Sequence, residues 1–129
     1  MLVEITQRNN EEVLTASSRQ VADKFEKEHR HVLESIDKMK EQLSTAEFSA
    51  LFMEGKYVAS NGKKNKEYLM TRDGFSLLVM GFTGEKVLRW KLDYIKAFNE
   101  MEKELKRLYS ERQKWEIERQ KGILVRHIL

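Results

Sequence analysis

The chain has 129 residues, 40% hydrophobic and 35% charged, with a formal net charge of +3. That balance excludes a disordered chain and, with no apolar run near the 20 or so residues a bilayer demands, a membrane-spanning helix; it fits one folded domain with a modest core. Cysteine and proline are both absent, which removes disulfides and thiolate metal sites and permits long uninterrupted helices.

The charge is uneven along the chain. Residues 1–50 hold seven basic against ten acidic side chains, residues 51–82 five against three, and residues 83–129 twelve against eight. A DNA-binding surface needs cations that displace counterions from phosphate, so the middle and the C-terminal helix are its expected sources. The opening MLVEITQRNNEE shows no signal-peptide pattern.

Two β-prone runs, LVEIT at 2–6 and EVLT at 12–15, flank Asn9-Asn10, a pair that tolerates the positive φ of hairpin turns. Ser17 or Ser18 then caps a helix with Val21, Ala22 and Phe25 on its buried face. A charged break at Glu26–Glu28 separates it from a second helix, whose Val32, Leu33, Ile36, Met39 and Leu43 recur at spacings of three and four. The pair reads as a helix-turn-helix candidate, although its turn lacks the usual Gly. Residues 46–58 are ambiguous between a helical turn and a strand.

Asn61-Gly62, between KYVAS and EYLMT, is the strongest hairpin signal in the chain. Its loop carries Lys63, Lys64 and Lys66, the arrangement expected of a DNA-binding wing or, on the plainer reading, of a solubilising loop tip. Thr71 caps the next helix, with Asp73 in its first turn. Phe75, Leu77, Leu78, Val79 and Met80 make that helix apolar nearly all round, so it is expected at the buried centre. Gly81 ends it, and Thr83 caps a last helix expected from Gly84 to about Lys121.

The first half of the last helix is apolar over a wide face (Val87, Leu88, Trp90, Leu92, Tyr94, Ile95, Phe98) and should pack on the body. Its second half narrows to Phe98, Met101, Leu105, Leu108, Arg112 and Trp115, which alternate in steps of three and four. This coiled-coil-like seam predicts a homodimer through residues 98–119. Gly122 is expected to interrupt the helix ahead of a short apolar tail, ILVRHIL.

No reaction centre is visible. Ser17 and Ser18 are explained by capping. His29 and His31, two apart and without a third ligand, do not make a metal site. The chain reads as a non-enzyme with no cofactor.

Residues 12–103 resemble the phage regulatory protein Rha family. The resemblance rests on Ser17, Ser18, Arg19, Val21, Ala22 and Phe25; on His31, Val32, Leu33 and Ile36; and on Tyr68 and Asp73-Gly74-Phe75. It continues through Met80-Gly81-Phe82-Thr83-Gly84 and through Lys91, Tyr94, Ile95, Phe98, Asn99 and Met101. It implies a phage or prophage regulator in the cytoplasm of a bacterial host, near the nucleoid, with a winged-helix type N-terminal domain acting on DNA. Residues 111–122 resemble the entry to a small C-terminal domain of related regulators, so a truncated extension is expected.

The expected fold is α+β and helix-dominated: a winged-helix-like domain over residues 1–101 with small hairpins, a projecting dimerisation helix over 102–121 and a tail over 122–129. The expected DNA-binding residues are Arg19, Arg30, His31, Glu34, Ser35 and Lys38, with Lys63, Lys64 and Lys66 holding backbone. A two-fold dimer would then match a two-fold-related operator on double-stranded DNA. The alternative is an antirepressor-like module that binds a host or phage regulator protein, which the acidic first fifty residues favour.

Overall fold

A computed structural model describes residues 2–128, with side chains through residue 120. Among the described residues the chain forms four strands and five helices: β1 (Glu4–Arg8), β2 (Glu11–Ser17), α1 (Ser18–Lys24), α2 (His29–Gln42), α3 (Thr45–Leu51), β3 (Phe52–Val58), β4 (Lys64–Met70), α4 (Arg72–Val79) and α5 (Glu85–Ile128). It divides into two compact units, residues 1–98 and residues 99–129. The class is α+β and helix-rich, as expected.

Both hairpins follow from turn chemistry. Asn9 and Asn10 take φ of 50° and 66°, the paired left-handed conformation that lets β1 and β2 run antiparallel from Glu4↔Thr15 to Arg8↔Glu11. Gly62 takes φ of 81° in the loop between β3 and β4, where Asn61 Oδ1 accepts the Lys63 N–H at 3.0 Å. The hairpins then join. Ala16 and Ser17 pair with Met70 and Leu69, giving an antiparallel sheet in the order β1-β2-β4-β3.

Ser17 is the cap of α1, its Oγ accepting from Gln20 N at 3.1 Å. Helix α1 ends without glycine because Glu26 itself adopts φ of 55°. Its N–H and that of Lys27 donate back to Asp23 O (3.3 Å) and Ala22 O (2.8 Å), closing the helix C-terminus. The ambiguous stretch becomes α3 followed directly by β3. Ser44 and Glu47 form a reciprocal capping box, and Arg8 donates from β1 to Ser49 O (3.1 Å) and Ala50 O (3.3 Å) at the far end of α3.

Gly74 lies inside α4. A Cβ there would sit 2.5 Å from Leu51 O, so only glycine lets α4 approach the end of α3. The expectation that α4 is buried all round needs correcting. Phe75, Leu78 and Val79 are buried, while Leu77 and Met80 face solvent.

Two aromatic clusters fill unit 1. In one, Phe25 meets Phe75, Phe82, Trp90 and Tyr94 at 5.4–6.3 Å between ring centres, and Phe75 meets Tyr94 at 4.7 Å and Phe98 at 6.0 Å. In the other, Phe48, Phe52 and Tyr68 pack at 5.0–6.3 Å. The wide apolar face of α5 is thus split. Val87, Tyr94 and Phe98 are buried, whereas Leu88, Leu92 and Ile95 are exposed. The α5 backbone passes Gly122 without the expected break; the side chains of the tail expected at 122–129 lie outside the described residues.

Candidate nucleic-acid interface

From Lys56 to Lys66 the second hairpin carries four lysines and no acid. Lys56 stands opposite Lys66 in the strand register, and Val58 opposite Lys64. Lys63 closes the loop and Lys64 opens β4, both exposed and, among the described residues, without an ion-pair partner. This is the longest acid-free cationic stretch presented by one structural element of unit 1.

Lys66 differs from its neighbours. It was expected at the loop tip, but it sits within β4 with its Nζ 3.1 Å from Asp37 Oδ1 of α2 and 4.7 Å from the Tyr68 ring centre. Tyr68 donates its hydroxyl to the same carboxylate oxygen at 2.7 Å. The hydrogen bond with Tyr68, then that with Asp37, outweighs burial and pushes the Lys66 ammonium up to about 12. Burial acts to raise the Asp37 carboxyl, but the Tyr68 and Lys66 bonds overcome it and hold it below the usual range. The hairpin is therefore pinned to α2 partway along β4, through Lys66 and Tyr68, and free at its apex.

The expected readers on α2 do not share one surface. Arg30 and Glu34 line a groove with Asp37, Tyr57, Asn65 and Lys66, facing the hairpin. His31 and Ser35 line a different depression, with Glu28 and Phe82. Lys38 is exposed. Arg19, on α1, lies over the Tyr57 ring at 4.5 Å and 3.6 Å from Glu67; Arg30 pairs with Glu28 at 3.1 Å. Arg19, Arg30 and Lys66 thus already have carboxylate partners, and phosphate would have to compete for them.

His29, rather than His31, makes the tertiary contact of the pair. Ser18 Oγ accepts the Tyr68 N–H at 2.9 Å and lies 2.9 Å from His29 Nε2, so one buried hydroxyl ties α1, α2 and β4 together. Burial, and then the Arg19 charge, lowers the His29 imidazole below its ordinary value. Ser18 is fully buried, which gives it a structural task and no access for a substrate. Among the described residues no group of three or more His, Asp or Glu side chains is arranged around a common metal position, and no helix is long and apolar enough to cross a membrane.

Sequence reasoning missed Lys56 and Tyr57. Lys56 was visible as a cation but not as the register partner of Lys66. Tyr57 had no local signal, since its partners Arg19 and His29 are far away in the chain. Of the expected dimerisation residues, Phe98 belongs to the core of unit 1. In unit 2, Met101, Leu105 and Leu108 are half-buried, and Arg112 and Trp115 are exposed.

A helix-rich α+β module with a pinned, lysine-tipped hairpin is the class these features define. The chain belongs to the phage regulatory protein Rha family, whose model matches residues 16–103. A protein of Haemophilus influenzae (strain ATCC 51907 / DSM 11121 / KW20 / Rd), itself uncharacterized, is 35% identical over 98 residues, 75% of this chain. The "SPbeta prophage-derived putative antirepressor protein YoqD" of Bacillus subtilis (strain 168) is 34% identical over 95 residues, 72% of this chain. The matched stretch spans 57% and 38% of the length of these two relatives. No solved structure matches significantly.

Proposed function

We propose that this phage regulatory protein contacts double-stranded DNA through the β3–β4 hairpin in the manner of a wing. The observation that carries this is the acid-free stretch from Lys56 to Lys66, with Lys63 and Lys64 exposed at its apex and, among the described residues, without an ion-pair partner. Lysines at a hairpin tip suit phosphate contacts, which position a protein without reading sequence. Arg30 and Glu34, on the groove side of α2, are the base-edge readers this reading favours, and Arg19 joins them across Tyr57.

Titration of random duplex DNA against salt tests the proposal. Affinity should fall steeply from low to moderate salt, and Lys63→Ala with Lys64→Ala should flatten the log–log slope by about two, close to one for each phosphate the chain no longer neutralises. Undetectable binding at low salt would overturn it.

A second reading, contact with a regulator protein in place of DNA, is favoured by the acid excess of residues 1–50 and by the antirepressor description of the B. subtilis relative. Absent DNA binding, together with recovery of a phage repressor in a pull-down that Lys63→Ala and Lys64→Ala leave intact, would establish it.

A further inference from the structure

The seam of unit 2 carries an electrostatic signature of its own. With Leu105 and Arg112 at one core register and Met101, Leu108 and Trp115 at the other, the positions bordering the stripe are Glu102, Glu104, Tyr109, Glu111, Glu116 and Glu118. Five of the six are acidic and none is basic. The cations Lys103, Lys106, Arg107 and Lys114 fall elsewhere on the helix. Arg107 reaches round to pair with Glu104 and, at 2.6 Å, with Glu111, which offsets one charge and leaves the border negative.

Border charges of a coiled coil set partner choice and orientation. A parallel second copy would set Glu111 against the other copy's Glu116 and stack Arg112 on Arg112. An antiparallel copy would set glutamates against glutamates along both borders. Either pairing places like charges opposite each other, which selects against it. Meanwhile Trp115 is 72% exposed at the C-terminal end of this stripe, with Leu108 before it on the same face, and a large aromatic rimmed by charge is the anchor an interface is built on.

We propose that the Met101–Trp115 face of α5 docks an amphipathic helix of another protein, one with apolar seam residues and lysine or arginine on both borders, rather than a second copy of this chain. Basic borders would be attracted to the net negative charge along both borders, where Glu116 and Glu118 are exposed, and the apolar seam would cover Trp115, Leu108 and Leu105. The proposal is independent of whether unit 1 binds DNA.

Three synthetic helical peptides of about three heptads, added to the full-length chain and followed by fluorescence anisotropy, test it. The first has leucine at the seam and lysine on both borders. The second keeps the leucines but has glutamate borders. The third keeps the lysines but has glutamine in the seam. The first should bind at least about tenfold more tightly than either other, and its advantage over the second should shrink in about 0.5 M salt. The triple variant Glu111→Lys, Glu116→Lys and Glu118→Lys, confined to exposed helix positions, should invert the preference. The unliganded chain should sediment as a monomer at micromolar concentration. Equal binding of the first and third peptides, no binding of any, an uninverted preference in the triple variant, or a stable dimer of the wild type would each overturn the proposal.

Discussion

The two hairpins are made by the same local chemistry and end in opposite uses of charge. In the first, an Asn-Asn turn brings Arg8 to the end of β1, where its guanidinium is spent on the last carbonyls of α3. In the second, an Asn-Gly loop leaves Lys63 and Lys64 in water, and only Lys66, nearer the base, is spent on Asp37. A cation consumed inside the fold contributes to stability; one left at an apex contributes to stability almost nothing and remains available to a ligand.

The largest effect should come from crowding the contact between α3 and α4. Gly74→Ala pushes a methyl against Leu51 O at the α3–β3 junction, and thermal or urea unfolding should show a loss of about 3 kcal/mol, at the upper end for overpacking. Next in size is Ser18→Ala. It leaves the buried Tyr68 N–H without its acceptor, and unfolding should show a loss of about 2 kcal/mol. Wild-type stability in Gly74→Ala would mean that α4 does not need its close approach to Leu51 O, and in Ser18→Ala that the Tyr68 N–H does not depend on the Ser18 hydroxyl.

Arg8→Ala and the pair Lys63→Ala with Lys64→Ala then separate the hairpins from each other. The first should cost about 1 kcal/mol, as removing charged hydrogen bonds at a helix C-terminus does, with little change in the salt slope of DNA binding. The lysine pair should change stability by less than about 0.5 kcal/mol. Equal effects of the two on stability would erase the distinction.

The smallest effect is the pH response of His29. Unfolded, its ring takes up a proton near pH 6.5; folded, burial and Arg19 hold that uptake to lower pH. The unfolded chain therefore binds more protons between those values, so the His29 contribution is complete above about pH 6.5 and is lost as pH falls through the lower folded value. His29→Gln should flatten the decline in Tm between about pH 7 and pH 5 relative to wild type. An unchanged decline would place its origin elsewhere. Asp37 acts in the same direction but in a more acid window, because its folded value also lies below the ordinary one.

Much of the candidate interface was legible. Asn61-Gly62 announces the hairpin through its own backbone preference, and the lysines beside it need no tertiary context to be cationic. The retreat of Lys66 from the apex was not legible, because its partner Asp37 lies 29 residues away. The split of the α2 readers was hidden for a similar reason: whether Arg30 or His31 faces the hairpin depends on how far α2 is rotated against it. Only the packing of Val32 and Ile36, both buried, sets that rotation. The border of the α5 seam was written in the sequence all along, since helix periodicity alone places Glu102, Glu104, Glu111, Glu116 and Glu118 beside it.

Local chemistry by itself decided the caps at Ser17 and Thr71, the turns at Asn9-Asn10 and Asn61-Gly62, and the long helical run after Gly84, because each depends on interactions within a few residues. Tertiary structure alone decided the pairing of β2 with β4, the glycine at position 74, the burial of Tyr94 and Phe98 beside an exposed Leu88, Leu92 and Ile95, and the tie made by the Ser18 hydroxyl. Those outcomes rest on atoms brought together from distant parts of the chain, and a distance between such atoms exists only once the chain has closed on itself.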